Sequence, residues 1–181
     1  MVFSLLRGGS LSKTLVGIVM GSDSDYPVME ESCKILKEFG VSYELLVSSA
    51  HRSPERTRQY VQETKKRGIK ILIAAAGGAA HLAGVIAAEC IIPVIGVPIP
   101  STSFMGLDSL LSIVQMPGGT PVATMAVGKP GAKNAGILAV QILALNDAKL
   151  GAKLVKYKKS QAREVELKSK KLNANVANTQ G

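Results

Sequence analysis

Five short apolar runs recur along the chain, separated by longer stretches in which polar and apolar positions alternate at helical spacing. Leu15–Met20 leads straight into Gly21-Ser22-Asp23-Ser24-Asp25 and reads as a buried strand followed by a loop. Tyr26–Phe39 puts Met29, Cys33 and Leu36 on one face, with Pro27 in the first turn and Gly40 after the last, the punctuation of a helix. Val41–Ser48 is a second strand. Ser53 stands where a cap belongs for a helix that begins at Pro54 and runs to Arg67, stopped by Gly68. Most of that helix is charged, which puts it on the outside. Ile69–Ala75, Pro93–Val97 and Pro121–Val127 read as strands three to five. Ala79–Cys90, Gly106–Val114 and Ala132–Leu145 read as the helices around them.

Strands that alternate with helices imply a parallel sheet, because parallel neighbours need long crossovers. The strand runs are continuously apolar, as expected where both faces of a sheet are covered. The fold class is therefore α/β: a flavodoxin-like, three-layer, doubly wound sheet of five parallel strands, with a helical extension at the C-terminus. Ligands of such sheets bind beyond the carboxyl ends of the strands. The loops after strands one, two and three carry Ser22–Asp25, His51-Arg52 and Gly77–His81, and all three open on that edge. The expected organisation is a loose leader over 1–13, an α/β domain over 14–146, a basic helical extension over 147–172 and a disordered tail over 173–181.

Composition narrows the class. One domain accounts for 181 residues, and 46% hydrophobic against 19% charged residues argues for a folded globule with apolar surface to spare for an oligomer. Cys33 and Cys90 fall in no metal or redox spacing and read as reduced thiols. The net charge of +9 is lopsided: nine Lys or Arg against two Glu lie between Ala148 and Gly181, leaving the body with a small excess. Such a run is a solvated face or tail, and neither nucleic-acid motifs nor interleaved aromatics accompany it, so no nucleic-acid partner is expected. The most apolar stretch, Ile69–Pro100, is broken by Gly77-Gly78, His81, Glu89 and Pro93 and makes no membrane span. Arg7 and the Leu5-Leu6 pair are too little for a secretory signal, so a cytoplasmic location is expected.

The candidate chemistry sits at the strand ends. Gly21-Ser22-Asp23-Ser24-Asp25 leads into a helix N-terminus, where free amides and the helix dipole suit a phosphate. Simple capping by Asp25 explains the same residues. The segment has neither the glycine spacing of a dinucleotide fold nor the Gly-Lys-Ser/Thr of a P-loop. The chain's two histidines, His51 and His81, both fall beside strand ends. Imidazole both gives and takes a proton near neutrality, and Arg52 next to His51 adds a guanidinium that reads phosphate bidentately. A structural role for either histidine is the alternative. Gly77-Gly78 permits close backbone approach to a flat ligand, or close helix–strand packing. Two histidines with no thiol cluster offer no metal site.

Taken together, Gly21–Asp25, Ser49-Ala50-His51-Arg52, Ala76-Gly77-Gly78-Ala79-Ala80-His81-Leu82, Asp108–Pro117 and Asn134-Ala135-Gly136 resemble the N5-carboxyaminoimidazole ribonucleotide mutases of purine biosynthesis, class I, over residues 15–146. The resemblance implies an octamer of flavodoxin-like subunits that needs no cofactor or metal. Such an enzyme moves a carboxylate from the exocyclic nitrogen of a ribonucleotide substrate to ring carbon C4. On the matching positions, Ser22 and Arg52 would hold the phosphate with Ser24 and Ser49 near, and Asp25 would bind ribose hydroxyls. His51 would be the general acid and base. Ala50, Gly77, Gly78, Ala79, His81 and Leu82 would lie around the imidazole and the migrating carboxyl group, and Gln115-Met116-Pro117 would line a neighbouring subunit's site. Tyr26 stands where the family usually has Trp and Ala83 where it often has Pro, both readable as packing changes.

Two other readings compete. The sister enzyme that carboxylates aminoimidazole ribonucleotide with carbon dioxide shares the fold and the histidine. The Gly-Gly-Ala-Ala-His-Leu and Ser-Ile-Val-Gln-Met-Pro stretches look more like the mutase. A non-enzymatic flavodoxin or receiver module is the remoter reading. Seven aromatics without Trp offer little to stack a flavin, and Gly77 stands where a receiver has its aspartate.

Overall fold

The computed structural model describes residues 13–179. Its first unit runs to Ala139 and is built on five parallel strands, β1 (Val16–Met20), β2 (Tyr43–Val47), β3 (Ile71–Gly77), β4 (Val94–Ile99) and β5 (Ala123–Thr124), in the order β2-β1-β3-β4-β5. That order is the flavodoxin-like one, as the strand–helix alternation requires. Helices α1 (Tyr26–Phe39), α2 (Pro54–Arg67), α3 (Leu82–Glu89), α4 (Leu107–Val114) and α5 (Lys129–Ala144) alternate with the strands.

Alternate strand positions sort into two cores. Val19, Leu46, Leu72, Ala74 and Val94 pack with Tyr60 and Val61 of α2, Leu82 and Ile86 of α3 and Ile113 of α4. Across the sheet, α1 lies against α5: the Ser32 hydroxyl donates to the Ala132 carbonyl, and Gly136 packs on Ile35. Ala135 and Gly136 of the Asn134-Ala135-Gly136 motif therefore serve close helix packing, whereas Asn134 is exposed. One polar cluster ties α2 to the sheet. Tyr60 Oη donates to Glu44 Oε1 at 2.8 Å, Arg67 pairs with the other oxygen of Glu44, and its guanidinium lies over the Tyr60 ring.

Several boundaries differ from the sequence reading. The third helix begins at Leu82 rather than Ala79, and β5 shrinks to two residues at the sheet edge. At the other edge, β2 leaves Leu45 and Val47 exposed; among the described residues no strand pairs with its outer side. Ser53 precedes α2 as expected, but its hydroxyl does not cap the helix; it turns back to Ser49 instead.

The second unit, from Val140, carries the end of α5 and a single helix, α6 (Ala148–Thr179). This is the basic extension, and it continues through Asn173–Thr179, where a disordered tail was expected. No Gly or Pro stands between Gly151 and Thr179 to stop it. The loose leader falls almost wholly outside the described residues, as do the last two of the tail. Among the described residues no helix is long and apolar enough to cross a membrane.

Candidate active site

The ladder of the sheet carries each loop onto one edge before it turns. The Gly21 amide donates to the Ala75 carbonyl and the Ser48 amide to the Met20 carbonyl, so the loops after β1, β2 and β3 start in register. They meet, together with the loop after β4, around a cleft of about 280 Å³. Of the residues named from the sequence, Ser22, Ser24, Asp25, Ser49, Ala50, His51, Arg52, Gly77, Ala79, His81 and Leu82 line it. Gly78 lies beside the cleft; its φ of +60°, a region glycine tolerates best, turns the chain out of β3. Ser101 lines the cleft and was not anticipated, since an isolated serine in Pro100-Ser101-Thr102-Ser103 carries no sequence signal.

The first loop closes on itself through hydroxyls and a carboxylate. The Ser22 amide donates to Asp25 Oδ2 at 3.1 Å, the Ser24 amide to Ser22 Oγ at 3.3 Å, and Ser24 Oγ to Ser22 Oγ at 2.8 Å. Asp25 is buried, and burial pushes its carboxyl above the usual carboxylate range despite the amides of Ser22 and Gly21 and the nearby Arg52, which pull it down. An elevated folded-state value means the protonated form is favoured by folding. The stability this group contributes is therefore present at low pH and lost as pH rises through the elevated value. Asp25→Asn should raise the melting temperature at neutral pH and flatten its pH dependence, which thermal melts across acidic and neutral buffers would read.

The second loop is held by a hydroxyl network that the sequence reading missed. Ser48 Oγ bonds Thr57 Oγ1 at 2.8 Å in the interior, and the Ser49 amide donates to Ser53 Oγ at 3.0 Å. These contacts fix the turn that presents His51 and Arg52. His51 Nε2 and His81 Nδ1 share a hydrogen bond of 2.8 Å, one donating and the other accepting, with the rings nearly perpendicular. His81 occupies the position just before α3 rather than its first turn, which leaves its ring free to face His51. A proton on His51 Nε2 thus has an acceptor 30 residues away in sequence.

Arg52 Nη2 donates to the Gly21 carbonyl at 3.3 Å and bridges the first two loops. It also borders an adjoining groove of about 380 Å³, lined by Ser22, Asp23, Ser49 and Arg56 among others. Arg56, in the first turn of α2 and four residues beyond Arg52, is a second cation that the sequence reading does not name. Gln115, Met116 and Pro117 do not reach the cleft of their own chain; Met116 lies against Gly84 instead. Ala83 is buried in the core, whereas Tyr26 is largely exposed. Burial pushes both the Cys33 and Cys90 thiols up, and Cys90 is only half-buried.

An open parallel sheet whose carboxyl edge gathers hydroxyls, an arginine and a histidine pair defines an α/β protein equipped for a small anionic ligand. The AIR carboxylase family model matches residues 15–164, and the chain belongs to that family. It is 56% identical over 160 residues to the N5-carboxyaminoimidazole ribonucleotide mutase of Pyrococcus horikoshii, spanning 88% of this chain and 89% of that one. It is 47% identical over 173 residues to the phosphoribosylaminoimidazole carboxylase of Candida glabrata, spanning 96% of this chain but 30% of that longer protein. Among solved structures, PurE of Treponema denticola superposes with a TM-score of 0.76 at 32% identity, covering 83% of this chain and 93% of that one.

Proposed function

We propose that this protein converts N5-carboxyaminoimidazole ribonucleotide to 4-carboxy-5-aminoimidazole ribonucleotide, an isomerisation in purine biosynthesis. The observation that carries the reading is the junction of His51 and His81 beside Arg52 and the Ser22–Asp25 loop, in one cleft of nucleotide-compatible size. Arg52, Ser22, Ser24 and Ser49 hold the phosphate, and the Asp25 carboxylate accepts from ribose hydroxyls. The heterocycle lies over Gly77–Ala79, walled by Ala50, His81 and Leu82.

His51 donates a proton to the exocyclic nitrogen while the bond from that nitrogen to the carboxyl carbon breaks, and carbon dioxide leaves. Ring carbon C4 then attacks carbon dioxide, forming the new carbon–carbon bond. The surplus C4 proton returns to His51, so the imidazole ends as it began. Retention of the gas matters: its escape makes recombination bimolecular and forfeits an effective molarity that reaches about 10⁵ M or more in well-oriented systems. The small residues Ala76, Gly77 and Ala79 suit such a cage.

Arg52→Ala should weaken nucleotide binding about ten- to hundred-fold, since a hydrogen bond to a charged group is worth roughly 1.5–3 kcal/mol, with a smaller effect on the chemical step. Titration calorimetry would measure it, and unchanged affinity would count against the phosphate assignment. The test of the function supplies N5-carboxyaminoimidazole ribonucleotide and, separately, aminoimidazole ribonucleotide with carbon dioxide. Efficient turnover of the second alone favours direct carboxylation, the activity named for the fungal relative.

A homo-oligomer, an octamer in this reading, is supported by the apolar stripe of Leu107, Leu111 and Val114 on α4. With Phe104 and Met105 before it, the stripe leaves a continuous exposed face. Gln115-Met116-Pro117 then reaches a neighbouring subunit's cleft. Light scattering at micromolar protein checks the assembly. A cytoplasmic location accords with two unpaired thiols.

A further inference from the structure

The residues given roles in this chain's own cleft come from the segments between β1 and α1, β2 and α2, and β3 and the start of α3, yet the cleft extends one strand further, to the end of β4. Ser101 sits two residues beyond that strand, its amide held by the Ile99 carbonyl at 3.0 Å. Its side chain lies directly on the α-carbon of Gly77: any Cβ added at Gly77 would overlap Ser101 Oγ. Glycine at 77 is what lets this exposed hydroxyl sit against the end of β3, at the edge of the cleft. Among the described residues, Ser101 Oγ has no hydrogen-bond partner, although it lines the cleft beside Gly77 and Ala79. It is a donor and acceptor without an internal task.

Strand order gives that position a meaning. Arg52 follows β2 and Ser101 follows β4, and β1 and β3 lie between them. Three strand spacings separate the two loops, about 14 Å across the sheet edge. A nucleotide whose phosphate rests at Arg52 points its heterocycle toward β3 and the carboxyl group on that heterocycle toward β4. We propose that Ser101 is a specificity residue, donating a hydrogen bond to the carboxylate that distinguishes the carboxylated nucleotides from aminoimidazole ribonucleotide. The proposal rests on the mutase reading above and extends it from the phosphate and proton-transfer groups to the group being moved.

Calorimetry on the intact protein and on Ser101→Ala separates the possibilities, with 4-carboxy-5-aminoimidazole ribonucleotide and aminoimidazole ribonucleotide as the two probes. The variant should bind the carboxylated nucleotide about ten-fold or more weakly, the size expected for a hydrogen bond to a charged group. Its affinity for aminoimidazole ribonucleotide should stay within about two-fold, which also reports that the cleft is intact. Equal affinities for both probes before and after substitution overturn the proposal, as does an equal loss for both. Binding of both probes by the intact protein without isomerisation would defeat the mutase reading while leaving Ser101 to be judged by the same comparison. Binding of neither would defeat both.

Discussion

His51→Asn should reduce turnover by about 10²–10⁴-fold, the range over which a positioned acid/base group accelerates proton transfer. Asparagine keeps a planar polar group at the position of the ring's δ atoms but is shorter than imidazole and cannot carry a proton between nitrogen and carbon. The phosphate-binding side of the cleft, with Arg52 bridging to the Gly21 carbonyl, does not depend on the imidazole. Aminoimidazole ribonucleotide should therefore bind the variant within a few-fold of the parent. Single-turnover kinetics together with calorimetry would show this split, and near-normal turnover would remove His51 from the role. His81→Asn should be milder, since His81 meets His51 through one hydrogen bond and bears on the reacting atoms through it.

Gly131→Ala should be the most damaging small substitution in the scaffold. Gly131 lies in the first turn of α5, buried, and a methyl group there would overlap the carbonyl of Ala126. The obstacle is backbone, which cannot rotate aside as a side chain does. Overpacking of this kind costs about 1–3 kcal/mol and more where the neighbour cannot yield. A loss of at least about 3 kcal/mol is expected here, seen as a large drop in the denaturation midpoint or as failure to accumulate folded protein. By contrast, Gly17→Ala would push on the Tyr60 hydroxyl and a Leu72 methyl, both side-chain ends, so its cost should be smaller.

Why some features were readable and others not follows from where their physical cause lies. The strand order was legible because apolar runs alternating with helical spacing admit few topologies, and the observed sheet is the flavodoxin-like one. Helix stops at Gly40 and Gly68 were legible because they are local. Ser53 misled for the converse reason. A serine before Pro54 is a reasonable cap in isolation, but Ser49 lies within reach of its hydroxyl and takes the bond instead. The polar composition of 173–181 reads as a disordered tail, whereas over 173–179, the part of it that is described, the helix continues for want of any residue that ends it.

The residue types and their spacing along the chain determined the α/β class, the edge on which the loops gather and the family resemblance, because each rests on periodicity or on contiguous motifs. The partner of His51, the hydroxyl lattice beneath its loop and the approach of Ser101 to Gly77 were decided by the tertiary structure alone. These join residues 30, 9 and 24 positions apart whose meeting depends on strand register and on the course of the intervening crossovers. No local preference encodes a distance of that kind; packing the helices onto the sheet sets it.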